Sequence, residues 1–177
     1  DEAKTLCNEG IDIIQFDEPA FNSFLKESIE WGMDAMEVAI DGLECKTAIH
    51  ICYGYGIEEN LNWKKTLGEQ WRQYENLFPA INQSNIDQVS LEFAGSRVPP
   101  ELMRLLPDKE IMAGVISVVG DHIETAEEVE KNIISALDHV EAERLIPCTN
   151  CGMAPISVDV AKQKVQALGD GTKRAAK

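Results

Sequence analysis

Two positions apart in an apolar run, His50 and Cys52 carry the side chains of this 177-residue chain best suited to hold a soft metal ion. The run Thr47 to Cys52 reads as a strand. Alternate strand positions share a face, so the imidazole and the thiol stand beside Ala48 while Ile49 and Ile51 turn the other way. Alone the pair proves little, because buried cysteine is common and a single histidine is more often a hydrogen-bonded core residue. Glu92 shifts the balance. It lies inside Val89-Ser90-Leu91-Glu92-Phe93, where a carboxylate is costly unless paired or metal-bound. With Cys151, which follows a further apolar stretch, His50, Cys52 and Glu92 make the mixed donor set of a zinc site with one exchangeable position.

Other candidate groups surround these four. Asp17 and Glu18 follow the apolar Ile11-Asp12-Ile13-Ile14-Gln15-Phe16 and add two carboxylates at a strand end. Cys148-Thr149-Asn150-Cys151 has the spacing of a redox pair or of half a zinc ribbon. A ribbon needs a second such pair, however, and a thioredoxin-type pair opens a helix, whereas Gly152 and Pro155 follow here. Gly54-Tyr55-Gly56 is too short for a phosphate-binding fingerprint and reads as backbone freedom beside a crowded site.

These residues need a scaffold that brings strand ends together, and the hydrophobic pattern supplies one. Glu2 to Glu9 reads as a helix with Gly10 beyond its end, followed by the strand Ile11 to Phe16. Ile29, Met33, Met36, Ile40 and Leu43 mark one helix face before the strand Thr47 to Cys52. Trp63, Leu67, Trp71, Tyr74 and Phe78 mark another before Gln88 to Phe93. A short helix opens at Pro99, a strand runs from Ile111 to Val119, and Thr125-Ala126-Glu127-Glu128 is a capping box for a helix with Val129, Ile133, Leu137 and Val140 on one face. Arg144 to Pro147 is the fifth strand, and a last helix spans Ser157 to Leu168 with Gly169 as its stop. Near-continuous apolar strands alternating with helices predict a parallel sheet of class α/β, with function at the carboxyl ends of the strands.

Composition narrows the partners. A formal charge of −15, with dispersed basic residues, argues against nucleic acid and anionic membranes. No apolar run approaches the roughly 20 residues of a membrane span, and the acidic start lacks signal-peptide character. Five cysteines, an odd number, read as reduced thiols in a cytoplasmic protein.

Four ordered motifs resemble one family. Ile14-Gln15-Phe16-Asp17-Glu18-Pro19, His50-Ile51-Cys52-Tyr53, Glu92 followed by Gly95-Ser96-Arg97, and Asn150-Cys151-Gly152-Met153 are similar to the catalytic domain of cobalamin-independent methionine synthase and its shorter relatives. The resemblance covers essentially the whole chain. It implies a (β/α)8 barrel, zinc held by His50, Cys52, Glu92 and Cys151, the amino group of homocysteine bound by Asp17 with Glu18 beside it as a second substrate-binding residue, and no role for Cys148. Homocysteine would be activated as a thiolate, since a thiol with a pKa near 8.5 is mostly protonated at neutral pH until a metal deprotonates it. Glu92 is then the ligand expected to give way to substrate.

The resemblance also sets two departures. Five strands match the fourth to eighth of eight, so residues 1–177 are expected to be the C-terminal part of a single barrel domain. The missing staves would leave two strand edges and an apolar interior exposed, to be completed by an N-terminal half or by self-association. The start within a helix and without methionine points to a fragment. Further, folate-using relatives carry an aspartate and a proton-donating histidine where this chain has Ser117 and Val119, which leaves His122 as the candidate catalytic acid and leaves open whether the donor is of methylfolate or methylcobalamin type. Residues 54–76, rich in Trp and Tyr, read as an insertion able to cover the site or meet a donor protein. The competing readings are methylation of another thiol, such as coenzyme M, and a non-catalytic metal-binding chain.

Overall fold

The computed structural model describes residues 1–55 and 58–177; Gly56, which closes the Gly54-Tyr55-Gly56 stretch, lies outside the described residues. Helix α1 (Glu2–Asn8) leads into β1 (Ile13–Asp17), which is followed by α2 (Ala20–Ser23), α3 (Leu25–Glu27), a π-helical turn (Ser28–Gly32) and α4 (Met33–Ile40). Strand β2 (Lys46–Ile51) precedes α5 (Glu58–Lys65) and α6 (Tyr74–Gln83), and β3 (Gln88–Glu92) precedes a 3-10 turn (Pro100–Leu105). Then come β4 (Glu110–Ile116) with α7 (Ala126–Leu137) and β5 (Leu145–Thr149) with α8 (Val158–Ala175). The five strands form one parallel sheet in sequential order, as the alternation of elements requires.

The hydrophobic core fills the layer between this sheet and the helices, where Ile49, Ile51, Val89, Leu91, Ile111 and Ala113 meet Met36, Leu77, Phe78 and Ile133. The alternate strand positions face the other way, and they overturn the expectation of an apolar interior. Lys46 Nζ lies 2.6 Å from Glu110 Oε1 and Gln88 donates to Glu110 Oε2, while Gln15, Asp17, His50, Ser90 and Met112 line a groove further along the same face. The concave face is therefore largely polar.

Four local expectations are also corrected. The aromatic stripe from Trp63 to Phe78 is not one helix: Thr66 Oγ1 takes the Trp63 carbonyl at 2.7 Å and Gly68 turns the chain at φ 73°. Its helical spacing arises because Trp63, Trp71 and Tyr74 all pack on Tyr53, at 5.7, 4.9 and 5.3 Å between ring centroids. The fourth strand stops at Ile116 rather than Val119, because Glu124 accepts the Ser117 N–H at 2.8 Å and Ser117 Oγ accepts the Val119 N–H at 3.2 Å. Nor are all five cysteines free: Cys7 and Cys45 form a disulfide across 38 positions of sequence, a proximity created when α1 returns beside the entry to β2. The last helix runs through Gly169 to Ala175. It is held by Lys164, fully buried, whose ammonium meets Glu124 Oε2 at 2.7 Å and the His122 carbonyl.

The two glycines of α8 have opposite reasons to be there. A Cβ on Gly171 would come within 2.4 Å of Val129 Cβ on α7, whereas one on Gly169 would meet nothing within 4 Å. Gly169→Ala should therefore stabilise the protein by about 0.5–1 kcal/mol through helix propensity alone, while Gly171→Ala should cost about 1–2 kcal/mol through overpacking. Thermal melts of the two variants check the difference in sign.

Candidate metal centre

The parallel register sets Asp17 opposite His50 and His50 opposite Ser90, so three strands deliver polar side chains to one level. His50 is buried, its Nδ1 lies 2.9 Å from Ser90 Oγ, and its Nε2 is buried with no hydrogen-bond partner. Cys52, one step beyond the end of β2 on the same face, has its Sγ 3.9 Å from Cys151 Sγ. The ligand atoms of His50, Cys52 and Cys151 all lie within 4.8 Å of one another. An imidazole nitrogen without a partner, facing two sulfurs and steadied through its other nitrogen by a hydroxyl, is the arrangement a metal-binding histidine requires.

Each thiol arrives by a separate device. The carbonyl of Cys52 accepts from Asn22 Nδ2 at 2.9 Å, on α2. Cys151 is placed by its neighbour Asn150, whose Oδ1 accepts the Phe93 N–H at 3.0 Å, whose Nδ2 donates to the Ala94 carbonyl, and whose own N–H reaches the Ile116 carbonyl at 2.9 Å. Only glycine fits beneath it: a Cβ on Gly114 would lie 2.2 Å from Asn150 Oδ1. Asn150 was visible as part of a motif, but its anchoring role depends on three backbone segments far apart in sequence.

The electrostatics separate the cysteines. The contact with the Cys52 thiol, helped by the nearby His50 ring, draws the Cys151 thiol well below its ordinary range. The same contact with Cys151, reinforced by burial, pushes the Cys52 thiol up, so the pair shares its first negative charge chiefly on Cys151. Burial pushes the half-buried Cys148 up to about 12, so it stays a protonated thiol at neutral pH although it lines the same groove.

The carboxylates are distributed differently from the sequence expectation. Glu92 is 3% exposed, and it stands outside the three-residue cluster with Oε2 accepting the Tyr53 N–H at 3.0 Å. Burial raises its pKa, partly opposed by that N–H. Asp17 is exposed on β1, steadied by Gln15 Nε2 at 2.8 Å, and shares a groove of about 240 Å³ with His50 and Cys151. Glu18, the next residue, points to the opposite side and lines an apolar cavity with Phe21, Phe24 and Trp31. His122 is exposed, with its ring 3.4 Å from Glu128, and does not line the groove. Sequence reasoning gave no sign of Lys64, which is buried with its ammonium on the Gly54 carbonyl.

Strand order and a helical layer on one face define part of a βα-barrel, with an imidazole and two thiols at the carboxyl ends of its strands that could hold a metal ion. The chain belongs to the family described as cobalamin-independent synthase, catalytic domain, which matches residues 1–174. It is 34% identical over 174 residues to a methionine synthase of Saccharolobus islandicus (strain Y.G.57.14 / Yellowstone #1), covering 97% of this chain and 47% of that protein. A B12-independent methionine synthase from Shewanella sp. W3-18-1, solved in complex with selenomethionine, is 52% identical and superposes with a TM-score of 0.91 over 99% of this chain and 53% of its own. A methyltransferase from Methanosarcina mazei shares the fold, with a TM-score of 0.61 at 14% identity, over 95% of this chain and 44% of its own. The chain spans about half the length of the curated relatives it matches.

If the three clustered side chains hold an ion, Cys52→Ser and Cys151→Ser should each lose most of the zinc that the purified protein takes up. Cys148→Ser should keep it. Metal content by atomic emission, with a colorimetric count of free thiols, checks the assignment; zinc lost from Cys148→Ser and retained in Cys151→Ser would reverse it.

Proposed function

We propose that this chain is the C-terminal part of a TIM-barrel methyltransferase that activates homocysteine as a thiolate at a zinc ion and methylates it to methionine. The observation that carries the reading is the buried, unpartnered Nε2 of His50 facing Cys52 and Cys151. The donor set fits zinc, with His50, Cys52 and Cys151 as ligands and Glu92 in reserve at the fourth, exchangeable position. Bound there, zinc would supply the Lewis acidity that keeps a substrate thiol ionised at neutral pH.

This chain's own residues account for the rest. Ser90 fixes the orientation of the imidazole. Asp17 lies in the groove beside His50 and Cys151, where a carboxylate suits the ammonium group of an amino acid and disfavours a sulfonate such as that of coenzyme M. Glu18 lines the apolar cavity and not that groove, so the substrate contact falls to Asp17 alone. The selenomethionine in the Shewanella relative is the selenium counterpart of the methionine expected here as product.

Transfer forms a sulfur–methyl bond and breaks the bond from methyl to its donor. A folate nitrogen leaving in this way must gain a proton. Ser117 offers only a weakly acidic hydroxyl, whose Oγ accepts the Val119 N–H, and Val119 carries no acid, so His122 is the nearest candidate by sequence and would have to leave Glu128 to serve. A donor with a better leaving group, such as a methylcobalamin-type carrier, removes that requirement.

The apolar cavity of about 340 Å³ beside β1, with Phe24 and Trp31 61% and 62% exposed, supports the view that further βα units, or a second chain, complete the barrel. Among the described residues no helix is long and apolar enough to cross a membrane.

Transfer of labelled methyl to homocysteine tests the reading, assayed with this chain alone and with a protein in which the remaining barrel units precede it. Asp17→Asn should raise the homocysteine KM tens-fold, the loss of about 2 kcal/mol for a charge-assisted contact in an open groove, with zinc content unchanged. Free methyltetrahydrofolate should turn over weakly or not at all, since general-acid catalysis of this kind is worth roughly 10²–10⁴-fold. Efficient folate turnover that vanishes in His122→Ala would hand the acid's role to His122.

A further inference from the structure

A lysine that is 9% exposed needs an explanation when, among the described residues, no carboxylate oxygen lies within ion-pair distance, and Lys64 is such a residue. It sits in the last turn of α5, on the segment that reads as an insertion. Its ammonium donates to the Gly54 carbonyl at 2.6 Å and lies 4.5 Å from the centre of the Tyr55 ring and 5.3 Å from that of Trp71. The rings turn their negative faces to the ammonium, and the Glu92 carboxylate lies near enough for the two charges to attract, though not as an ion pair.

The carbonyl it holds belongs to the turn that leaves the metal centre. Three consecutive residues of that turn are each tied at one backbone group: the Cys52 carbonyl by Asn22 at 2.9 Å, the Tyr53 N–H by Glu92 at 3.0 Å and the Gly54 carbonyl by Lys64. Gly54 has φ 72°, and a Cβ there would come within 2.1 Å of Asn60 Nδ2 on α5, so turn and helix are in direct contact. Without the ammonium, the Gly54 carbonyl would lose the donor that fixes where the turn runs, and with it the offset between Cys52 and Glu92.

We propose that Lys64 is a positioning residue for the metal centre, fixing through the Gly54 carbonyl the turn that presents the Cys52 thiol and aims the Tyr53 N–H at Glu92. This rests on the metal reading of His50, Cys52 and Cys151. It gives α5 a part in the site although none of its side chains is a candidate ligand.

The test uses the 177-residue protein loaded with cobalt(II) in place of zinc. Lys64→Met should weaken cobalt and zinc binding tenfold or more in chelator competition and should change the thiolate-to-cobalt absorption bands. Lys64→Gln, whose amide can still donate to Gly54, should fall between. Lys164→Met removes a buried lysine tied to Glu124 instead; it should lower the melting temperature and leave the cobalt spectrum unchanged, which separates positioning from general stability. Should Lys64→Met fail to fold, Lys64→Gln decides. A wild-type protein that binds cobalt, with Lys64 variants whose affinity and spectrum match it, overturns the role of Lys64 alone; a wild-type protein that binds no cobalt overturns the metal reading and this one with it.

Discussion

The pleat of the parallel strands is the constraint from which the site follows. Successive side chains go to opposite faces, and the register places Asp17, His50, Ser90 and Met112 on one level across four strands. Because Ile49, Ile51, Val89 and Leu91 serve the helical layer, the positions between them are released from core packing and can be polar. A slip of one residue in β2 would send His50 into the helices and Ile49 into the groove. The hydrophobic layer thus fixes the position of the imidazole without touching it.

Holding these groups ready has an energetic cost that the structure meets locally. Glu92 is buried, the His50 Nε2 has no partner, and Cys52 is enclosed. Each is steadied by one neighbour outside the three-residue cluster: the Tyr53 N–H, Ser90 Oγ and Asn22 respectively. Satisfying one atom of a buried polar group while leaving another free is destabilising for the fold by itself. It becomes favourable when the free atoms converge on a ligand, since binding then adds to folding stability. Tyr74, fully buried, links the two strands that carry these groups, donating to the Ile51 carbonyl at 2.7 Å and accepting the Glu92 N–H at 3.4 Å.

Periodicity made the five strands and their order readable, because apolar runs and helix faces are local patterns. The capping box at Thr125 is local as well, and both of its hydrogen bonds form. What escaped was set by distant partners. Trp71 looked helical because it shares Tyr53 as a packing partner with Trp63 and Tyr74, yet its N–H is taken by the Arg97 carbonyl at 2.9 Å. Gly169 looked like a helix stop, but α8 continues because Gly171 lets it approach Val129 closely. His50, Cys52 and Cys151 were readable as a cluster, since strand ends converge in any such sheet. The withdrawal of Glu92 onto the Tyr53 N–H was not, because the turn after β2 has no repeating pattern to betray its path.

The polar interior changes what completing the barrel must accomplish. Had the concave face been apolar, half a barrel would expose its whole lining to water. Instead Lys46, Gln88 and Glu110 form a hydrogen-bonded row low on that face, and the groove above carries Gln15, Asp17 and Ser90. Water can occupy such a surface without large penalty. The flank of β1 is different, for there Phe16, Phe21, Phe24, Trp31 and Met36 enclose an apolar cavity next to an unpaired strand edge. Hydrophobic area and free backbone groups coincide on that flank. The surface that further βα units would cover is therefore the flank of β1, while the groove is polar already.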